Sequence, residues 1–164
     1  WIPYRAGMKV AVLDRGLATT AAETSPWLLQ GAKTLSYVVN MAAVREAKRR
    51  GAADVLFVSS DGYALEGPTS TLLVRRGDTF LTTPASAGVL AGTAVATLFE
   101  WLREQQGLAT GEELMTIEDV KGSDGAWLLS STRLAAPITH LDEHELPVDA
   151  ELTARFERVL KGGI

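Results

Sequence analysis

Two turn signals break the middle of this chain into short strands, and they constrain its fold more than any other feature. Asp54-Val55-Leu56-Phe57-Val58-Ser59 is an apolar run of strand length, and Asp61-Gly62 follows almost at once. That dipeptide suits a tight hairpin turn, because both central positions need the left-handed backbone that Gly and Asp tolerate. Tyr63 to residue 65 then starts a return strand. Residues 71–74 continue beyond an irregular stretch at 66–70, and Gly77-Asp78 marks another turn before a short strand at 79–81. Hairpins of this kind pair antiparallel. Around them stand segments with helical period. Residues 33–50 place Leu35, Val38, Val39, Ala42, Ala43 and Ala47 on one face and end in cations before Gly51. Residues 93–106 turn Val95, Leu98, Phe99 and Leu102 inward and stop at Gly107. Strands are also expected at 8–13, 126–130 and 135–140, an extended segment at 113–117, a helical turn at 118–121 and a helix at 148–160, with 16–25 a loop. Hairpins mixed with intervening helices predict an α+β fold, not a doubly wound parallel sheet.

The 164 residues suit one domain, 1–164, with a sizeable core. A net charge of −4 and the lack of a basic stripe argue against a nucleic-acid partner. No apolar run is long enough to span a bilayer, so no membrane is expected. Cysteine is absent, which excludes disulfides and thiolate metal sites and is compatible with a cytoplasmic setting. The opening Trp1-Ile2-Pro3-Tyr4 lacks Met and the charged and apolar regions of a signal peptide, and reads as the middle of a protein.

Among the chemistry-bearing residues, Lys33 differs from the other four lysines because its neighbours are small or apolar and uncharged. Burial among such neighbours disfavours the ammonium form and makes the amine a nucleophile. Glu66 follows a strand and precedes Gly67-Pro68, a stiff turn. Gly92-Thr93-Ala94 leads into a helix, whose first amides and dipole favour an anion. Ser130-Ser131-Thr132 ends a strand with three hydroxyls. Singly, each has a plainer reading: a first-turn lysine in water, a surface glutamate, a helix that begins after glycine, a polar strand end. In this order they suggest pyridoxal phosphate (PLP), which needs an amine, a partner for its ring nitrogen and a phosphate cradle. No Walker loop and no Gly-x-Ser-x-Gly elbow occurs. His140 and His144 lie in an acidic segment that reads as a solvated loop, and no metal site is expected.

The spacing of these motifs resembles the C-terminal large domain of the fold-type IV PLP enzymes. That family includes branched-chain aminotransferase, D-amino-acid aminotransferase and 4-amino-4-deoxychorismate lyase. Lys33-Thr34-Leu35-Ser36-Tyr37 is similar to its cofactor-bonding lysine segment. Asp61-Gly62-Tyr63-Ala64-Leu65-Glu66-Gly67 is similar to its Gly-x-x-x-Glu-Gly stretch, and Gly92-Thr93-Ala94 to its phosphate-holding turn. Ser131-Thr132 matches its hydroxyl pair. The chain departs from the family's Gly-Ile/Val-Thr-Arg turn, because Ala94 replaces the threonine and Val95 the arginine. After Glu-Gly, Ser70-Thr71 stands where Ser-Asn is usual.

The resemblance implies a mixed sheet or pseudo-barrel with flanking helices. It implies Lys33 as the catalytic residue and Lys33, Glu66, Thr93, Ala94 and Ser131 as cofactor-binding residues. Thr132 and Arg133 would face the carboxylate of a small-molecule substrate. The departures lean toward an aminodeoxychorismate lyase of folate-precursor synthesis, with a branched-chain or D-amino-acid aminotransferase as the alternative. A noncatalytic homologue or fragment is a third reading. The resemblance further implies a homodimer and a smaller N-terminal domain, expected to be absent from this chain, against which exposed apolar surface would pack.

Overall fold

A computed structural model describes residues 5–34 and 37–163. Eight strands and five α-helices alternate along them: β1 Met8–Asp14, α1 Ala21–Thr24, α2 Val38–Arg49, β2 Asp54–Val58, β3 Thr71–Arg76, β4 Thr79–Thr82, α3 Thr93–Glu104, β5 Ala109–Glu112, α4 Ile117–Lys121, β6 Gly125–Ser130, β7 Leu134–Leu141, β8 His144–Glu145 and α5 Ala150–Leu160. The strands form one mixed sheet in the order β2-β1-β7-β6-β3-β4-β5, with β8 paired to β7. The hairpins β3–β4 and β6–β7 are antiparallel. β1 runs parallel to both β2 and β7, and β4 parallel to β5. This is the α+β architecture that the turn signals require, with Gly77 in the left-handed region at φ 59° between β3 and β4.

β6 shows why the sheet can be covered on both sides. Its side chains alternate faces, and both faces are apolar. Ala126 and Leu128 join Val10, Leu56, Leu72, Val74 and Ile138 on one side. Trp127 and Leu129 join Leu73, Phe80, Leu98, Phe99 and Phe156 on the other, under α3 and α5. Phe156 packs edge-on against Trp127 at 5.2 Å between centroids, and the Trp127 indole N–H donates to Thr153 Oγ1 at 2.9 Å. That bond satisfies the polar atom which burial of a tryptophan would otherwise leave unpaired.

Several expectations change. The helix assigned to 33–50 begins at Val38, so Lys33 and Thr34 lie outside it, while Leu35 and Ser36 fall outside the described residues. Gly31 approaches the backbone at Val89 so closely that an added Cβ would stand 3.1 Å from Val89 O. In place of a strand at 63–65, Tyr63 and Ala64 form isolated bridges, Val58 to Ala64 and Tyr63 to Thr116. The extended segment expected at 113–117 is displaced to β5, whose Ala-Thr-Gly-Glu has no apolar alternation to reveal it. The expected loop at 16–25 contains the single turn α1. The N-terminal segment Trp1 to Tyr4 lies outside the described residues.

Candidate active site

The irregular segments collect where the sheet and α3 meet. A cavity of about 360 Å³ is lined by Lys33, Glu66, Ser70, Thr93, Ala94 and Ser131, among others. Five of the seven residues singled out from sequence therefore share one wall-to-wall space. Lys33 comes from the stretch before α2, Glu66 from the turn after β2, Thr93 and Ala94 from the first turn of α3, and Ser131 from the β6–β7 turn. Thr132 and Arg133 are not among the residues lining the cavity. The Arg133 guanidinium instead pairs with Asp54 through Nη1 and Oδ2.

Close backbone approach builds the anion-facing side. A Cβ on Gly92 would stand 2.4 Å from Thr71 Oγ1, and one on Gly67 would stand 2.3 Å from Ser70 Oγ. Only glycine lets α3 start this near β3 and lets the 67–70 turn close. Gly92 offers no side-chain cap to α3, so its first-turn amides, which lack an intrahelical acceptor, are not satisfied by an N-cap side chain. With the helix dipole behind them, they form a cradle for an anion. Ser70 adds a hydroxyl that is buried without a hydrogen-bond partner, as suits a group reserved for a ligand. The sequence marked Ser70 only as part of a departure from the family pattern and did not assign it to the site, although its place after Glu66-Gly67 was a usable signal.

Glu66 is the wall between this cavity and a second one of about 420 Å³, which Arg15 and Gln30 also line. Burial pushes its carboxyl up from 4.5 to about 7; the Leu90 N–H, which donates at 3.1 Å, and the Arg15 charge pull it back only in part. Arg15 itself stacks over Phe57, 5.4 Å from the ring centre. A carboxyl so poised gains strongly from a cationic or protonated partner. Lys33 is exposed, so the expected burial of its amine is not found; its side chain opens onto the cavity from the rim. The donor set is thus an accessible amine, a half-buried carboxyl and an anion cradle. This fits a ligand bearing an aldehyde, a basic ring nitrogen and a phosphate.

The sequence profile described as amino-transferase class IV matches residues 2–141. The chain belongs to the class IV aminotransferase family. The family resemblance drawn from the four motifs therefore holds. The chain is 44% identical over 150 residues to a bifunctional aminodeoxychorismate lyase / D-amino acid transaminase of Mycobacterium tuberculosis, covering 87% of this chain and 52% of the relative. A fold IV transaminase of Curtobacterium pusillum superposes with a TM-score of 0.94 at 49% identity, over 98% of this chain and 54% of that one. A hypothetical aminotransferase of Mycobacterium tuberculosis, solved in a PLP-bound form, gives 0.91 at 40% identity, over 98% and 57%. The chain spans about half the length of the relatives it matches. Both structural likenesses show the fold-type IV domain inferred from sequence. Among the described residues no group of three His, Cys, Asp or Glu could hold a metal ion, and no helix is long and apolar enough to cross a membrane. His140 Nδ1 stands 3.1 Å from Thr139 Oγ1, and His144 Nε2 stands 3.0 Å from the Lys121 carbonyl.

Proposed function

We propose that this chain is the cofactor-binding part of a PLP-dependent 4-amino-4-deoxychorismate lyase, which forms 4-aminobenzoate and pyruvate. The observation that carries the reading is the convergence of Lys33, Glu66 and the α3 amides on one cavity. The name of the relative at 44% identity supports the choice of reaction. PLP, when bound, supplies an electron sink for charge developing on the substrate. Lys33 Nζ would hold it covalently and would serve as the base that takes the ring proton of the substrate. Cleavage of the substrate's ether C–O bond would release enolpyruvate, and the same Nζ would return the proton to its carbon, so that no second reactant is needed. Glu66 would hold the ring nitrogen. The Thr93 and Ala94 amides, with the Ser131 hydroxyl, would hold the phosphate, and Thr132 would meet the substrate carboxylate. The complete activity draws on chain outside the present residues, and the reading includes a homodimer and a cytoplasmic setting.

An aminotransferase acting on D- or branched-chain amino acids is the second reading, favoured by the transaminase that superposes at 49% identity. The test begins with PLP, the visible spectrum, borohydride reduction and mass mapping of the modified lysine. Trapping on Lys33 is expected, together with loss of the trapped adduct and of turnover by about a thousandfold or more in Lys33→Ala. Trapping scattered over surface lysines would overturn the cofactor assignment and leave a noncatalytic homologue. Aminodeoxychorismate is then expected to yield 4-aminobenzoate. Release of keto acid from D-amino acids, with no 4-aminobenzoate, would shift the reaction to the second reading.

A further inference from the structure

The geometry points to Asp54 as a positioning residue that, through Arg133, holds the β6–β7 turn and keeps Ser131 on the wall of the cavity. The inference rests on the cofactor reading above. Asp54 opens β2, at one end of the strand order, whereas the β6–β7 turn lies between strands in the middle of it. The side chain is buried, with the residue only 2% exposed. Its Oδ1 accepts the Val55 N–H at 2.8 Å, and its Oδ2 pairs with Arg133 Nη1. A buried carboxylate stripped of its partner is strongly unfavourable, so Asp54 dictates where the Arg133 guanidinium must lie.

Arg133 carries that constraint into the turn. Its backbone N–H donates to Ser130 Oγ at 2.9 Å, and Ser130 Oγ stands 3.4 Å from Thr132 Oγ1. Ser131 is thus bracketed by a tied residue on each side. Leu134, which completes the turn, has φ 65°, a left-handed conformation that leucine rarely adopts. Such a backbone persists where the surroundings over-determine it, and the Asp54–Arg133 pair supplies such a constraint. Arg133 thereby takes a different task from the substrate contact inferred from sequence: it locates a neighbour's hydroxyl.

A purely structural ion pair would weaken all ligands of the cavity alike. A positioning pair acts on the phosphate alone, because Ser131 belongs to that end. The test measures equilibrium affinity of the full-length protein for PLP and for pyridoxal, which lacks the phosphate. Asp54→Asn should weaken PLP by about tenfold, the loss of one hydrogen bond to a charged group, and leave pyridoxal unchanged. Added to Ser131→Ala, it should cost almost nothing more, since both act through one hydroxyl. Arg133→Lys keeps the charge that Asp54 needs but loses the planar fork; it should show the same PLP-against-pyridoxal split in milder form, and serves if Asp54→Asn fails to fold. Equal losses for both ligands, additive losses with Ser131→Ala, or unchanged PLP affinity would overturn the positioning role while leaving the cofactor reading intact. Failure of the unmodified protein to bind PLP would overturn both.

Discussion

The two twelve-residue helices, α3 and α2, carry similar apolar stripes and meet the protein in opposite ways. α3 buries Ala94, Val95, Leu98, Phe99 and Leu102 between the sheet and α5. α2 buries only Ala43 and Ala47, against Ala11, Val55 and Phe57. Val44 is half-buried, and the other apolar residues face solvent: Val38 is 73% exposed, with Val39, Met41 and Ala42 also exposed. Trp27 is 74% exposed, and the exposed Leu28, Leu29 and Leu90 line the cavity of about 420 Å³. The difference teaches that helical period marks which stripe is apolar but not what covers it. It also divides the site: the anion cradle stands on a helix locked by packing, whereas Lys33 precedes a helix that fully buries only two alanines and is tied by the Asn40 amide donating to the Pro68 carbonyl at 3.0 Å.

The comparison breaks most sharply at Leu98. Truncating a fully buried leucine removes its transfer energy and leaves a cavity, so Leu98→Ala should cost about 3 kcal/mol in urea unfolding. A loss below about 1 kcal/mol would mean that α3 is not the locked element described here.

Glu66, on the wall shared by the two cavities, comes next. Its carboxyl, ordinarily at 4.5, stands at about 7 in the folded chain. Between those values the folded protein keeps a proton that the unfolded chain has released. Stability therefore falls as pH rises from 4.5 toward 7, and the penalty persists above it. Glu66→Gln in cofactor-free protein should gain about 2 kcal/mol above neutral pH, discounted for partial exposure, and lose affinity for PLP. A variant with the parent's pH slope would show that burial of Glu66 is not the cause.

Smaller effects sharpen the boundary. Asp149 caps α5 by accepting the Leu152 N–H at 2.9 Å, so Asp149→Ala should cost about 1 kcal/mol by loosening the lid over α3. Val38→Ser, on the exposed stripe, should change stability by no more than about 0.5 kcal/mol in either direction. A larger loss would place Val38 in a packed environment and remove the contrast with α3.

Much of the sheet was legible because its signals are local. Gly77-Asp78 turns where a left-handed residue is needed, and β6 and β7 follow their apolar runs. The inward set Val95, Leu98, Phe99 and Leu102 is buried as the 3.6-residue period requires. Strand β5 was missed because parallel pairing to β4 holds it, not its own side chains. Lys33 was assigned to a helix because the apolar spacing of α2 continues back to Leu35, whereas α2 begins at Val38.

By itself the sequence determined the α+β class, the inward face of α3, and the residue types the site draws on. These follow from periodicity, turn chemistry and motif spacing, which act over a few residues. Only the tertiary structure decided that Lys33, Glu66, Thr93, Ala94 and Ser131 share one cavity, that Ser70 leaves a buried hydroxyl there, and that Arg133 turns to Asp54, 79 residues away in the chain. Burial and ion pairing between distant segments depend on which surfaces are pressed together, and no local pattern carries that information.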